Sequence, residues 1–131
     1  MVARQPDVLV ANAGISVGGT IEDTKVEDFD RMFAINVRAP FFLVQQLLPI
    51  LGAGSSVVLV SSLAAHASVG VLSAHAATKG AIDTLMKHFA SALGERGIRA
   101  NAVAPDVVET EMSRFAKTDA GREFTLSLQR P

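Results

Sequence analysis

The chain has 131 residues, with twelve lysines and arginines against thirteen aspartates and glutamates for a net charge of −1. With no basic cluster to neutralise a phosphate backbone, nucleic acid is not expected as a partner. The absence of cysteine and the scatter of three histidines exclude disulfides, thiolate metal sites and any zinc or haem motif.

The length suits one domain, spanning 1–131, that buries roughly two-thirds of its unfolded surface, and a hydrophobic fraction of 49% suggests strands buried on both faces. Residues 1–7 lack the apolar core of a signal peptide, and no run approaches the ~18 apolar residues needed to span a bilayer. A soluble, cytoplasmic protein without membrane partners is expected, and a cysteine-free chain is compatible with a reducing compartment.

In chain order, residues 7–11 (DVLVA) form a short apolar strand closed by the turn-prone Asn12-Ala13-Gly14. Gly18 and Gly19 mark a loop. Thr24 and Glu27 read as a capping box for a helix over about 25–50, with Phe29, Phe33, Asn36 and Val37 at helical spacing. Pro40 lies inside this helix and deprives the Asn36 carbonyl of its i+4 donor. Two readings follow: a proline kink in a core helix, or a carbonyl that holds an ordered water, since buried acceptors rarely stay unpaired.

Gly52 to Gly54 ends that helix, and residues 55–62 (SSVVLVSS) give the clearest strand. After a loop with His66 and Gly70, a second long helix is predicted over 73–96. Ala74, Ala77 and Ala81, then Ile82, Leu85, Phe89 and Leu93, form its apolar stripes, and His75 and Lys79 share one face a turn apart. His66 and His88 read as a loop and an exposed-helix residue. Gly97 stops the helix, residues 98–104 form a third strand closed by Pro105-Asp106, and a short helix over 111–117 precedes a polar tail.

Strand–helix–strand–helix–strand specifies an α/β fold with parallel pairing. Two right-handed crossovers that advance in one direction place both helices on the same sheet face and leave the other bare. Strands as apolar as VVLV cannot face water cheaply: at roughly 25 cal/mol per Å2, a few hundred Å2 of exposure forfeits several kcal/mol and invites association.

Asn12-Ala13-Gly14 after a buried strand, Asn36 in the following helix, Ser62, His75-Ala-Ala-Thr-Lys79 and Asn101-Ala-Val-Ala-Pro105 occur in the order and near the spacing of the short-chain dehydrogenase/reductase family, which the chain resembles. The resemblance covers nearly the whole chain from about residue 7. It implies a partial Rossmann-type three-layer fold, with three parallel strands and two long crossover helices but without the first βαβ half. That half carries the glycine-rich turn that cradles a dinucleotide pyrophosphate. Residues 127–131 resemble the segment just before the family's last strand and helix.

The family exchanges hydride between a nicotinamide, NAD or NADP, and a small-molecule alcohol or carbonyl. The resemblance implies that Ser62 hydrogen-bonds the substrate oxygen, Lys79 holds the nicotinamide ribose, and Asn36 keeps a proton-relay water. Asn12, Ala13 and Gly14 would lie on the adenosine ribose side of the cofactor, and Pro105, Val108 and Thr110 would contact its carboxamide and pyrophosphate. His75 stands where the family has its proton-donating Tyr, and the chain has no Tyr at all. A nearby ammonium that lowers a phenol's pKa usefully also pushes an imidazole below its ordinary ~6.5. His75 is therefore either a helix-start residue without a catalytic role or a weak general acid–base. Asp106 replaces the family's Gly, and is either a charge opposing the cofactor phosphates or an outward loop carboxylate. Two functions remain open: an oxidoreductase of impaired activity, or a catalytically silent, self-associating module. The family's dimer-forming long helices imply a homo-oligomer in either case.

Overall fold

The computed structural model describes residues 6–108 and 110–128; the readings made on the remainder of 1–7 and 127–131 lie outside the described residues. Three strands, β1 (Val8–Ala11), β2 (Ser56–Val60) and β3 (Arg99–Val103), form one parallel sheet in the order β1-β2-β3. Leu9 pairs with Val57 and Val57 with Ala100, so the rung crosses the whole sheet. Parallel pairing follows from the connections, because each carries a helix long enough to return the chain to the starting edge.

The first connection runs through α1 (Val26–Phe33), a π-helical turn (Ala34–Arg38) and α2 (Ala39–Leu47). The predicted kink at Pro40 is thus a π turn: the Ala39 N–H reaches the Ala34 carbonyl, and wider i→i+5 bonding carries the helix past the residue that has no N–H. The expected capping box is absent. Lys25 is the N-cap without a side-chain bond, while the Thr24 hydroxyl donates to the Thr20 carbonyl at 2.6 Å inside the preceding turn. Gly19 is required there, since a Cβ would lie 2.7 Å from that hydroxyl. The buried line along this helix is Met32, Asn36, Pro40 and Val44, whereas Phe29 is exposed and Phe33 and Val37 are half-buried.

The second connection is α3 (Ser73–Gly94). Ala74, Ile82 and Leu93 are buried as its stripe predicts, with Leu85 and Phe89 packed against the core, but Ala77 faces solvent. Gly97, at φ 68°, ends it as expected: the Ile98 N–H returns to the Leu93 carbonyl at 3.1 Å, a left-handed glycine cap. Arg96 donates to the Leu48 carbonyl at 2.8 Å, so the ends of both crossovers are tied together.

The core lies on one side of the sheet, where Val44 from α2 and Ile82 and Leu93 from α3 meet Val57, Leu59 and Ala100. Both crossovers therefore cover the same face, as the topology requires. The alternate residues Val8, Val10 and Val103 are exposed on the other face.

The expected polar tail is in fact helical. A 3-10 helix (Glu111–Lys117) leads into α4 (Asp119–Leu128), where the Thr118 hydroxyl accepts from the Gly121 N–H at 3.0 Å. Phe124 of α4 meets Phe115 with ring centres 6.3 Å apart.

Candidate active site

The three strands end side by side, and the segments that leave their carboxyl ends carry every residue the sequence singled out apart from Asn36 and the α3 pair. This is where ligands bind in open parallel sheets. The ladder continues past the strands: the Ser61 N–H reaches the Val103 carbonyl at 2.7 Å and the Leu63 N–H the Pro105 carbonyl at 2.9 Å.

The centre of the site is the backbone of Ile15. Asn36, 1% exposed, grips it twice: its Oδ1 accepts from the Ile15 N–H at 2.8 Å and its Nδ2 donates to the Ile15 carbonyl at 2.8 Å. The same Nδ2 lies 3.0 Å from the Thr78 hydroxyl, which donates to the His75 carbonyl at 2.6 Å. His75 closes the circuit, with Nδ1 3.1 Å from the Ile15 carbonyl. Gly14 lies against two side chains: a Cβ there would be in ordinary contact, 3.4 Å from Asn36 Oδ1 and 3.5 Å from Lys79 Nζ. The Asn-Ala-Gly turn, Asn36, His75 and Lys79, widely separated in the chain, thus come together.

Lys79 is buried and donates to the Val60 carbonyl at 2.8 Å. Among the described residues no carboxylate pairs with it, and burial pushes its ammonium below the ordinary 10.5. His75 is only 6% exposed. Burial pushes its imidazole below 6.5; the Ile15 carbonyl pulls it back up, and Lys79 pushes it further down. The expected effect of Lys79 has the right sign, but burial is the larger cause.

Other candidates are held locally. The Ser62 hydroxyl accepts from the Ala64 N–H at 3.2 Å and caps a short 3-10 turn (Leu63–Ala65), while its neighbour Ser61 is buried with Oγ 3.3 Å from the Lys79 carbonyl. Thr110 caps the 3-10 helix that follows it; Asn12, Ala13, Pro105 and Val108 are exposed. Among the described residues no hydrogen bond joins Ser62, Pro105, Val108 or Thr110 to the Ile15 circuit. The Asp106 carboxylate accepts from the Val107 N–H at 2.6 Å. His66 is more than a loop residue, since its Nε2 lies 2.9 Å from Asp83 on α3; His88 is exposed as expected. Sequence reasoning missed Ile15 and Thr78. Thr78 sits one helical turn from His75 and was findable by that spacing, but Ile15 acts through its backbone and leaves no side-chain signature.

Among the described residues no His, Asp and Glu side chains gather to hold a metal ion, and no helix is long and apolar enough to cross a membrane. A family model described as enoyl-(acyl carrier protein) reductase matches residues 2–129. The chain is 37% identical over 107 residues to the short chain dehydrogenase/reductase AacuN of Aspergillus aculeatus, covering 81% of this chain and 40% of that one. It is 39% identical over 116 residues to carbonyl reductase [NADPH] 2 of Sus scrofa, covering 86% and 48%. The crystal structure of angucycline C-6 ketoreductase LanV with bound NADP superposes with a TM-score of 0.84 at 35% identity, covering 91% of this chain and 46% of that one. The chain thus spans less than half the length of these proteins.

Proposed function

From the premise that this chain belongs to the short-chain dehydrogenase/reductase family, we propose that it takes part in nicotinamide-dependent exchange between a small alcohol and its carbonyl, using the cluster around Ile15. The convergence of Gly14, Asn36, His75 and Lys79 on that one turn carries the reading. The cofactor, when bound, supplies or accepts the hydride.

The residues present fit its ribose. The Lys79 ammonium has three donors and gives one to Val60, so two can meet hydroxyls, and Gly14 offers a close approach beside them. Asn12 and Ala13 follow β1 at one edge of the sheet and take the adenosine ribose side, while Pro105, Val108 and Thr110 follow β3 at the other edge and take the carboxamide and pyrophosphate. Ser62 holds the substrate oxygen, and Asn36 fixes the turn and, through its backbone carbonyl, a relay water. His75 replaces a phenol as the acid–base, at a cost in turnover, because an imidazole held below its ordinary pKa is mostly neutral near pH 7. The NADP in the LanV crystal and the NADPH of the pig reductase's name favour the phosphorylated cofactor. A cytoplasmic setting belongs to the same proposal and accords with the absence of cysteine.

Titration of the chain with NADPH and NADH, followed by nicotinamide emission, tests this reading, with a His75→Tyr variant alongside. Binding by both proteins, with carbonyl reduction gained or raised by His75→Tyr, is the expected result. No binding by either protein at millimolar cofactor would sink it.

A second reading, a self-associating module, is favoured by the uncovered valine face and by a groove of about 680 Å3 in which Phe33, Phe41, Phe42 and Leu85 lie among Asp30, Arg31 and Arg38. It predicts a concentration-dependent homo-oligomer without cofactor in sedimentation equilibrium. A stable monomer at micromolar concentration would exclude it.

A further inference from the structure

His75 has two ring nitrogens, and their surroundings differ. Nδ1 lies 3.1 Å from the Ile15 carbonyl oxygen, which can only accept, so the hydrogen of that bond is carried by Nδ1. Asn36 Nδ2 donates to the same oxygen and holds it in place. A neutral ring protonated at Nδ1 leaves Nε2 bare, with its lone pair as an acceptor. Nε2 has no partner among the described residues, and no fully buried side-chain nitrogen or oxygen among them lacks one, so Nε2 reaches solvent.

We infer that His75 presents Nε2 as a fixed hydrogen-bond acceptor, and that the site thereby selects ligands bearing a hydroxyl group over the corresponding ketones. A phenol at this position, as in the family, can donate to a carbonyl oxygen; a bare imidazole nitrogen cannot, and facing a carbonyl it sets two lone pairs against each other. An alcohol O–H satisfies it. Discrimination of this kind is large where a polar site atom is otherwise left without a partner.

The charged group acting on the ring is Lys79, one turn away on the same helix, and it opposes a second proton on the imidazole. The turn bearing Ile15 and the π turn bearing Asn36 supply neutral hydrogen-bonding groups, so nothing there favours imidazolium apart from the Ile15 carbonyl. Neutral His75 and a bare Nε2 are therefore the same state of the site. The substrate-class part rests on the oxidoreductase reading above, whereas the tautomer does not.

The test is nitrogen-15 spectroscopy of the histidine rings in a His66→Gln/His88→Gln background, which isolates His75 by changing two residues outside the cluster. Above the ring's titration midpoint, Nδ1 is expected in the protonated range and Nε2 in the unprotonated range, with the midpoint below 6.5. Cyclohexanol should then move the Nε2 resonance upfield, and cyclohexanone should leave it in place. A proton on Nε2 overturns the inference. An equal response to the two probes, no response included, overturns the selection for hydroxyls. Cofactor titration of the same sample separates these failures from failure of the oxidoreductase reading, because the tautomer is measured without cofactor.

Discussion

Leu9 and Val10 are adjacent in β1, yet Leu9 packs against the core while Val10 is 52% exposed. The same division runs across the sheet: Val57, Leu59 and Ala100 lie beneath the two crossovers, and Val8, Val10 and Val103 lie on the side that no described element covers. The second face also carries Ser56, Arg99 and Asn101 in register with Val8 and Val10, but its valines are as apolar as the residues beneath the crossovers, so side-chain type does not decide their burial. Topology decides it, because two crossovers of one hand can protect only one side. The apolar character of the second face is the mark of a strand suited to cover on both sides.

The largest break in this contrast should come from substituting one residue on each face. Leu59→Ala is expected to cost about 3 kcal/mol, within the usual range for buried leucine, whereas Val10→Thr should stay within about 0.5 kcal/mol. Urea denaturation monitored by circular dichroism measures both; similar losses would show that the exposed face is covered in solution.

Next in size is Asn36→Ala, which leaves the Ile15 amide without its side-chain partner and the carbonyl with His75 alone, and should cost about 2 kcal/mol. Amide exchange at Ile15 should accelerate along with the global loss. Unchanged exchange would show that the clamp does not hold the turn.

A smaller effect should come from the buried histidine. His75 is held below 6.5, so between its folded value and 6.5 the unfolded chain binds a proton that the folded chain does not. Stability should therefore fall as pH drops through 6.5 and level off below the folded value. His75→Gln should flatten that slope. For Lys79 the same sign places a gain in stability at alkaline pH, as the solution approaches 10.5 from its lowered value.

The smallest effect concerns the His66–Asp83 pair, whose histidine is largely solvated. Asp83→Asn should cost about 0.5 kcal/mol or less, and the loss should shrink further in 1 M salt.

Much of this architecture was legible in the chain. The runs DVLVA and SSVVLVSS declare strands by apolar density, and His75 and Lys79 declare a shared helix face by their spacing. The burial phase of the first crossover was not legible. Of the residues read at helical spacing, Asn36 is buried, in line with Met32, Pro40 and Val44, while Phe29 is exposed and Phe33 and Val37 are half-buried. Asn36 was found, but for its backbone carbonyl; the bonds seen in the structure come from its side chain. The Ile15 circuit was illegible for a deeper reason, since two of its groups are peptide atoms that every residue possesses. Ser62 shows the converse, a residue whose type and position fit a role while its hydroxyl bonds a neighbouring amide.

The sheet register also bears on how the molecule forms. Ser56 meets Val8 only after the whole first crossover has been made, and Arg99 meets Ser56 only after the second. No hairpin can start this sheet, so loop-closure entropy must be met before the first rung repays it. β2 takes part in both pairings, and until it docks neither outer strand has a partner. Refolding, more than unfolding, is thus the rate that substitutions in this central strand should slow.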